Sequence, residues 1–86
     1  MQKLDIIADA DQIVGDMETL TGEERIEALA VIRKNYNIAE SLRRDISFAL
    51  KRPYRNYPEG AKEKDQARLQ SYRKATSVYR KALRNG

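Results

Sequence analysis

The sequence predicts an all-α fold, a small bundle of three main helices. Apolar residues recur every three or four positions through most of the chain, and strict alternation of apolar and polar residues is absent. Ala, Leu, Lys, Arg and Glu, which favour helix, are frequent. Both prolines fall in one stretch, between residues 53 and 58. Because 86 residues suffice for only one core, we expect residues 1–86 to form a single helical domain.

The first helix is predicted over residues 3–20. Apolar residues recur there at helical spacing and cover less than half of the circumference, while Asp and other polar residues take the remaining sides. Gly15 weakens this helix slightly without ending it. The apolar stripe consists of Ile6, Ala10, Ile13, Met17 and Leu20.

The middle helix is predicted over residues 22–51 and is preceded by Thr21, which forms a capping-box pattern with Glu24. Its apolar stripe shifts by about 100° around the helix between the first and second halves. We therefore expect one long, bent helix, and a break near Asn35–Asn37 is the alternative. The stripe consists of Ile26, Leu29, Ile32, Tyr36, Ala39, Leu42, Ile46, Ala49 and Leu50.

Part of this helix, residues 37–50, resembles a helix-turn-helix segment, with Ala39 and Leu42 in the first of its two helices. Arg43 stands where that family usually has a glycine, because the turn there needs a left-handed backbone conformation. The resemblance breaks at this position, so we assign the chain to no family. Only a broken middle helix could present a recognition helix.

A connector rich in Pro and Tyr follows over residues 52–60, since Pro53 disfavours helix in the residue before it. The last helix is predicted over residues 61–84. Its apolar stripe consists of Leu69, Tyr72, Thr76, Tyr79 and Leu83. Tyr36, Tyr72 and Tyr79 lie on apolar stripes, so we expect them in a core or an interface.

Composition excludes several classes of protein. The chain has no Cys and no His, which removes disulfides, thiol nucleophiles, zinc sites and imidazole catalysis. It has no glycine-rich phosphate loop, and Asp9 and Asp11 are too far apart on a helix to share a cation. We expect no enzyme activity, no cofactor and no metal site. With no long apolar run and a polar start, we expect a cytoplasmic protein without membrane contact.

The charge is divided unevenly along the chain. Residues 1–50 have six basic and ten acidic side chains, whereas residues 51–86 have eleven basic and three acidic ones. On the last helix, four cations project within about 40° of one another, away from the apolar stripe. Such a surface attracts phosphates, and we expect it to bind nucleic acid, DNA ahead of RNA. The predicted contact residues are Lys51, Arg52, Arg55, Lys62, Arg73, Lys74, Arg80, Lys81 and Arg84.

Two alternatives stay open. Tyr54 and Tyr57 of the connector could stack on bases, but a core this small has few aromatics, so we expect them to cover the bundle ends. The basic surface could also face an acidic protein, which would make the chain an adaptor, assembly factor or inhibitor within a larger complex. A homodimer fits both functions. The small size would suit a regulatory protein encoded by a phage or a plasmid.

Overall fold

The fold is a bundle of three helices. The computed structural model describes residues 5–51 and 58–85, in which the helices are α1 (Ala10–Glu18), α2 (Gly22–Lys51) and α3 (Ala61–Asn85). Arg25, early in α2, lines one groove together with Ala82 and Asn85 near the end of α3, so the two long helices run antiparallel. The shorter α1 packs against both. The Cα atoms extend over 53 × 27 × 14 Å, which makes the molecule long and thin. The predicted fold class is confirmed.

The first helix is shorter than the predicted range of 3–20. Residues 6–9 form turns, because the Asp5 carboxylate accepts hydrogen bonds from the backbone N–H groups of Ile7 (2.9 Å) and Ala8 (3.2 Å). Such side-chain bonds compete with regular helix. At the other end, the Thr19 hydroxyl donates to the carbonyl of Asp16 at 2.7 Å, and α1 ends at Glu18.

The middle helix is continuous from Gly22 to Lys51, so the alternative of a break near Asn35–Asn37 is wrong. A turn at Arg43 is excluded for the same reason, and α2 presents no separate recognition helix. Gly22 has a φ of 61°, a conformation that favours glycine at the start of α2. The side chains of Thr21 and Glu24 make no hydrogen bond within the described ranges, so the predicted capping box does not form.

Pro58 and Gly60 begin the last helix. The Pro58 carbonyl accepts a hydrogen bond from the N–H of Ala61 at 3.0 Å, and Gly60 has a φ of 84°. The remainder of the predicted connector, residues 52–57, lies outside the described ranges, as do residues 1–4 and 86. The prediction that Tyr54 and Tyr57 cover the bundle ends therefore falls on residues that the structure does not describe.

The core lies where α1 crosses the hairpin of α2 and α3. Small side chains dominate it, which lets the helices approach closely, and Tyr79 is its largest fully buried member. Ile26, which the sequence placed on the apolar stripe, is 67% exposed, whereas the nearby Ala28 and Leu29 pack against the core. The core residues are Ala10, Met17, Ile32, Ala39, Ala75, Tyr79 and Ala82.

A buried polar contact joins α2, α3 and the turn that precedes α1. The Tyr79 hydroxyl donates to the carbonyl of Ile6 and hydrogen-bonds to the side chain of Asn35, which is itself buried. Burial raises the pKa of Tyr79, and the charges of Asp5 and Asp9 add to this, while the bond from Asn35 opposes it. The contact fixes how far α3 is rotated about its own axis relative to α2.

Candidate nucleic-acid interface

One side of α3 has a row of basic side chains, which we call the basic ridge and define as Lys62, Arg73, Arg80 and Arg84. All four side chains are exposed. At 1.5 Å of rise per residue, the ridge extends for about 33 Å along the helix. Three exposed side chains that can form hydrogen bonds share this side of the helix, namely Gln66, Gln70 and Ser77.

The ridge faces solvent because α3 buries a different side, centred about 100° around the helix from the ridge. Tyr72, Ala75, Tyr79 and Ala82 are at most 7% exposed, and they hold that side of α3 against α1 and α2. Since the Tyr79 hydroxyl is bound on two sides, α3 has little freedom to rotate. The apolar stripe therefore decides which residues of α3 reach solvent, as the sequence predicted.

The cations of the ridge form no ion pair with a described Asp or Glu side chain. Within residues 5–51 and 58–85, no carboxylate oxygen lies within 4.0 Å of a ridge cation. The sequence contains no Asp or Glu after Asp65, so α3 itself supplies no carboxylate to the upper part of the ridge. Unpaired guanidinium groups remain available to an external anion, and they can bind it with two parallel hydrogen bonds.

One cation of the ridge is held in place by α2. The guanidinium of Arg80 lies 5.9 Å from the centre of the Tyr36 ring and donates to the Tyr36 hydroxyl at 3.4 Å. Tyr36 is half-buried, so it serves as a support for Arg80 at the edge of the bundle. The sequence placed Tyr36 in a core or interface but did not reveal this pairing, which joins residues 44 positions apart.

Next to Tyr36, the carboxylate of Glu40 is balanced by two arginines. Arg43 donates to its two oxygens at 2.6 and 3.0 Å, and Arg44 donates at 3.3 Å. The hydrogen bond from Arg43 is the main reason that the pKa of Glu40 is lowered, and the same bond raises the pKa of Arg43. The surface of α2 beside the ridge is therefore not a source of unbalanced negative charge.

Two further predicted contact residues, Lys74 and Lys81, flank the ridge on the side of α1. The ammonium group of Lys74 lies 3.4 Å from a carboxylate oxygen of Asp11, and both side chains are largely exposed. Lys81 is exposed beside a shallow groove between α1 and α3. Part of the charge predicted for this flank is therefore paired within the molecule, although an exposed pair of this kind is weak.

The remaining predicted contacts lie near the other end of the hairpin. Lys51 is exposed and is the last residue of α2. Because α2 and α3 are antiparallel and joined by a short connection, Lys51 lies at the Lys62 end of the ridge. Arg52 and Arg55, which were also predicted as contacts, lie outside the described residues.

The described residues also limit other kinds of site. No three Asp or Glu side chains among them are placed to hold a metal ion. None of their helices has an apolar stretch long enough to cross a bilayer. Compared with known proteins, the chain matches no family model, no curated protein and no solved structure.

Proposed function

We propose that the chain is a non-enzymatic accessory or regulatory protein of the cytoplasm that binds nucleic acid through the basic ridge. The supporting observation is the row of exposed cations on α3 that have no carboxylate partner among residues 5–51 and 58–85. Lys62, Arg73, Arg80 and Arg84 contact phosphates, and Lys74 and Lys81 extend the contact on one flank. Arg52, Arg55 and Lys51 extend it at the end of the hairpin.

The spacing of the ridge suits a phosphate backbone. Arg73 and Arg80 are separated by about 10 Å along the helix axis, and Arg80 and Arg84 by about 6 Å. Gln66, Gln70 and Ser77 lie on the same side and can donate to backbone oxygens or base edges. Most of the affinity then comes from charge, so binding depends strongly on salt and weakly on base sequence. Duplex DNA is the first polymer to test, followed by RNA.

The test is fluorescence anisotropy with a mixed-sequence duplex at about 50 mM salt, where phosphate contacts are strong. In the variant Arg73→Glu/Arg80→Glu we expect affinity to fall at least thirtyfold, roughly 2 kcal/mol, because two contacts become repulsive. The matched control is Arg33→Glu/Lys64→Glu, which has the same net charge but replaces exposed cations away from the ridge. An equal loss of affinity in both variants would show that net charge matters and the ridge does not.

A second candidate function is docking to another protein, and one observation favours it. Within the described residues, four large apolar side chains are exposed, and all belong to α2: Ile26, Val31, Ile38 and Phe48. A partner with an acidic surface could alternatively occupy the ridge itself. In that case the anisotropy experiment would give no binding to DNA or RNA, and an acidic polypeptide such as polyglutamate would bind in a salt-dependent manner.

A further inference from the structure

The side of α2 that faces away from α3 carries a regular stripe, which we call the outer stripe. It consists of Val31, Lys34, Ile38, Ser41, Asp45 and Phe48, and all six residues are exposed. Three of them are large apolar residues with 54%, 40% and 59% of their surface exposed at Val31, Ile38 and Phe48. The outer stripe therefore lies on a different side of α2 from the buried Ile32 and Ala39.

The spacing of the outer stripe is that of a coiled-coil seam. Its members follow one another at steps of three, four, three, four and three residues, which is the pattern of alternating a and d positions. Val31, Ile38 and Asp45 take the a positions, and Lys34, Ser41 and Phe48 take the d positions. A seam of this kind is suited to a second helix with the same spacing, and α2 of another copy has that spacing by definition.

Charge decides the direction in which a second copy would lie. In a parallel pair, Lys34 would lie beside Lys34 of the second copy and Asp45 beside Asp45 of the second copy, so both layers would be repulsive. In an antiparallel pair, a positions meet d positions. Lys34 can then meet Asp45 of the second copy, and the twofold axis repeats that contact. Neither side chain has an ion-pair partner within the described part of the chain.

The same charges select one register. When Lys34 faces Asp45 of the second copy, Val31 faces Phe48 of the second copy and Ile38 faces Ser41 of the second copy. A shift by one heptad in one direction brings Asp45 against Glu27 of the second copy, which is repulsive. A shift in the other direction carries Val31 past the end of α2 at Lys51. One arrangement thus pairs Val31 with Phe48 and Lys34 with Asp45, and it avoids a contact between like charges.

We infer that the chain forms an antiparallel homodimer through the outer stripe of α2, with the twofold axis between residues 39 and 40. The stripe covers about 25 Å of helix, so the interface is small and the dimer reversible. The inference does not depend on nucleic-acid binding, because the basic ridge lies on another helix. In the dimer, the basic ridge of each copy remains exposed, so the dimer has twice as many ridge cations as the monomer.

Sedimentation velocity of the full chain between about 5 and 500 µM tests the association, since small interfaces dissociate in this range. We expect a shift from monomer to dimer that Ile38→Glu abolishes. The matched control is Ile26→Glu, which places the same charge at an exposed isoleucine of α2 outside the stripe and should leave the dimer intact. Circular dichroism confirms that both variants are folded. A monomer throughout, or equal behaviour of the two variants, would overturn the inference.

A charge exchange tests direction and register. Lys34→Glu alone and Asp45→Lys alone should each weaken the dimer at least tenfold, and the double variant should return to within about threefold of the original. In a parallel dimer, each single change would replace one like-charge pair by another and leave affinity nearly unchanged. Failure of the double variant to recover would contradict the proposed register.

Single cysteines provide an independent readout because the chain contains none. Ser41→Cys lies about 5 Å from its own copy along the helix axis, so a short bis-maleimide should cross-link its two copies. Val31→Cys lies about 25 Å from its own copy along the helix axis and should not be cross-linked. Cross-linking through position 31 would show a parallel dimer, and the absence of cross-linking at both positions would show that the outer stripe is not an interface.

Discussion

Tyr79 and Arg80 are neighbours on α3, and they contact two neighbouring residues of α2: Tyr79 contacts Asn35, and Arg80 contacts Tyr36. The two contacts differ in their burial. Tyr79 is completely buried, and its hydroxyl is bonded to Asn35 and Ile6. Arg80 is exposed and lies over the ring of Tyr36 at the surface. One turn of α3 therefore contains both a buried tyrosine that stabilises the core and an exposed arginine that is held at the surface. Changes on the two sides should affect stability and binding separately.

The largest expected effect is on the buried side. Tyr79→Ala removes the largest fully buried side chain of the described core, and we expect it to lower the free energy of unfolding by about 3–5 kcal/mol. A domain this small has little stability in reserve, so the variant should be largely unfolded near its working temperature. Urea denaturation followed by circular dichroism measures the change. A loss below about 1 kcal/mol would show that Tyr79 is not the centre of the core.

A smaller effect is expected when only the hydroxyl is removed. Tyr79→Phe leaves the buried Asn35 side chain and the Ile6 carbonyl short of a partner, which should cost about 1–3 kcal/mol. Because the pKa of Tyr79 is raised in the folded state, ionisation occurs first in the unfolded chain as the pH rises. The stability linked to Tyr79 is thus present below about pH 10 and lost above it. The free energy of unfolding of Tyr79→Phe should therefore fall less than that of the original chain as the pH rises above about 10. Identical alkaline slopes would contradict this.

A titrating group on the surface should show the opposite pH dependence. Arg43 lowers the pKa of Glu40 in the folded state, so this carboxylate contributes stability above its unfolded pKa. The contribution is lost as the pH falls through the folded pKa. Glu40→Gln should therefore be less stable at neutral pH by under about 1 kcal/mol, and the difference should shrink as the pH falls below the unfolded pKa of Glu40. Thermal unfolding at several pH values measures this, and a difference that grows toward acid would contradict it.

The smallest effect concerns the support of Arg80. Tyr36→Leu keeps an apolar side chain at the bundle edge but removes the ring and hydroxyl that hold the guanidinium. We expect nucleic-acid affinity to fall two- to threefold, about 0.5 kcal/mol, as for an exposed cation–π contact. Anisotropy with the same duplex measures this change, and Tyr36→Phe serves as the control because it retains the ring. An equal loss in both variants would assign the effect to the hydroxyl alone.

The parts of the fold that could be predicted are those that depend on local sequence. The bounds of α2 and α3 follow from long apolar stripes and from Pro53 and Gly60. The exposure of Arg73 and Arg80 follows from the same stripes, because each directly follows a stripe tyrosine and so lies about 100° around the helix from it.

The parts that could not be predicted depend on distant residues. The hydrogen bond from Tyr79 to the carbonyl of Ile6 joins residues that are 73 positions apart. The pairing of Lys74 with Asp11 likewise needs the packing of α1 on α3. The burial of Asn35 could not be predicted from the sequence, because its partner Tyr79 lies far away in the chain.

The most direct test of the proposed function is the salt dependence of duplex binding, measured between about 50 and 200 mM salt. If the four cations of the basic ridge each neutralise one phosphate, the logarithmic slope should be about −3 to −4. Arg73→Gln/Arg80→Gln, which removes two of these contacts without repulsion, should reduce the magnitude of the slope by about 2. A slope near zero, or the same slope in the variant and the original chain, would contradict a nucleic-acid interface on this side of α3.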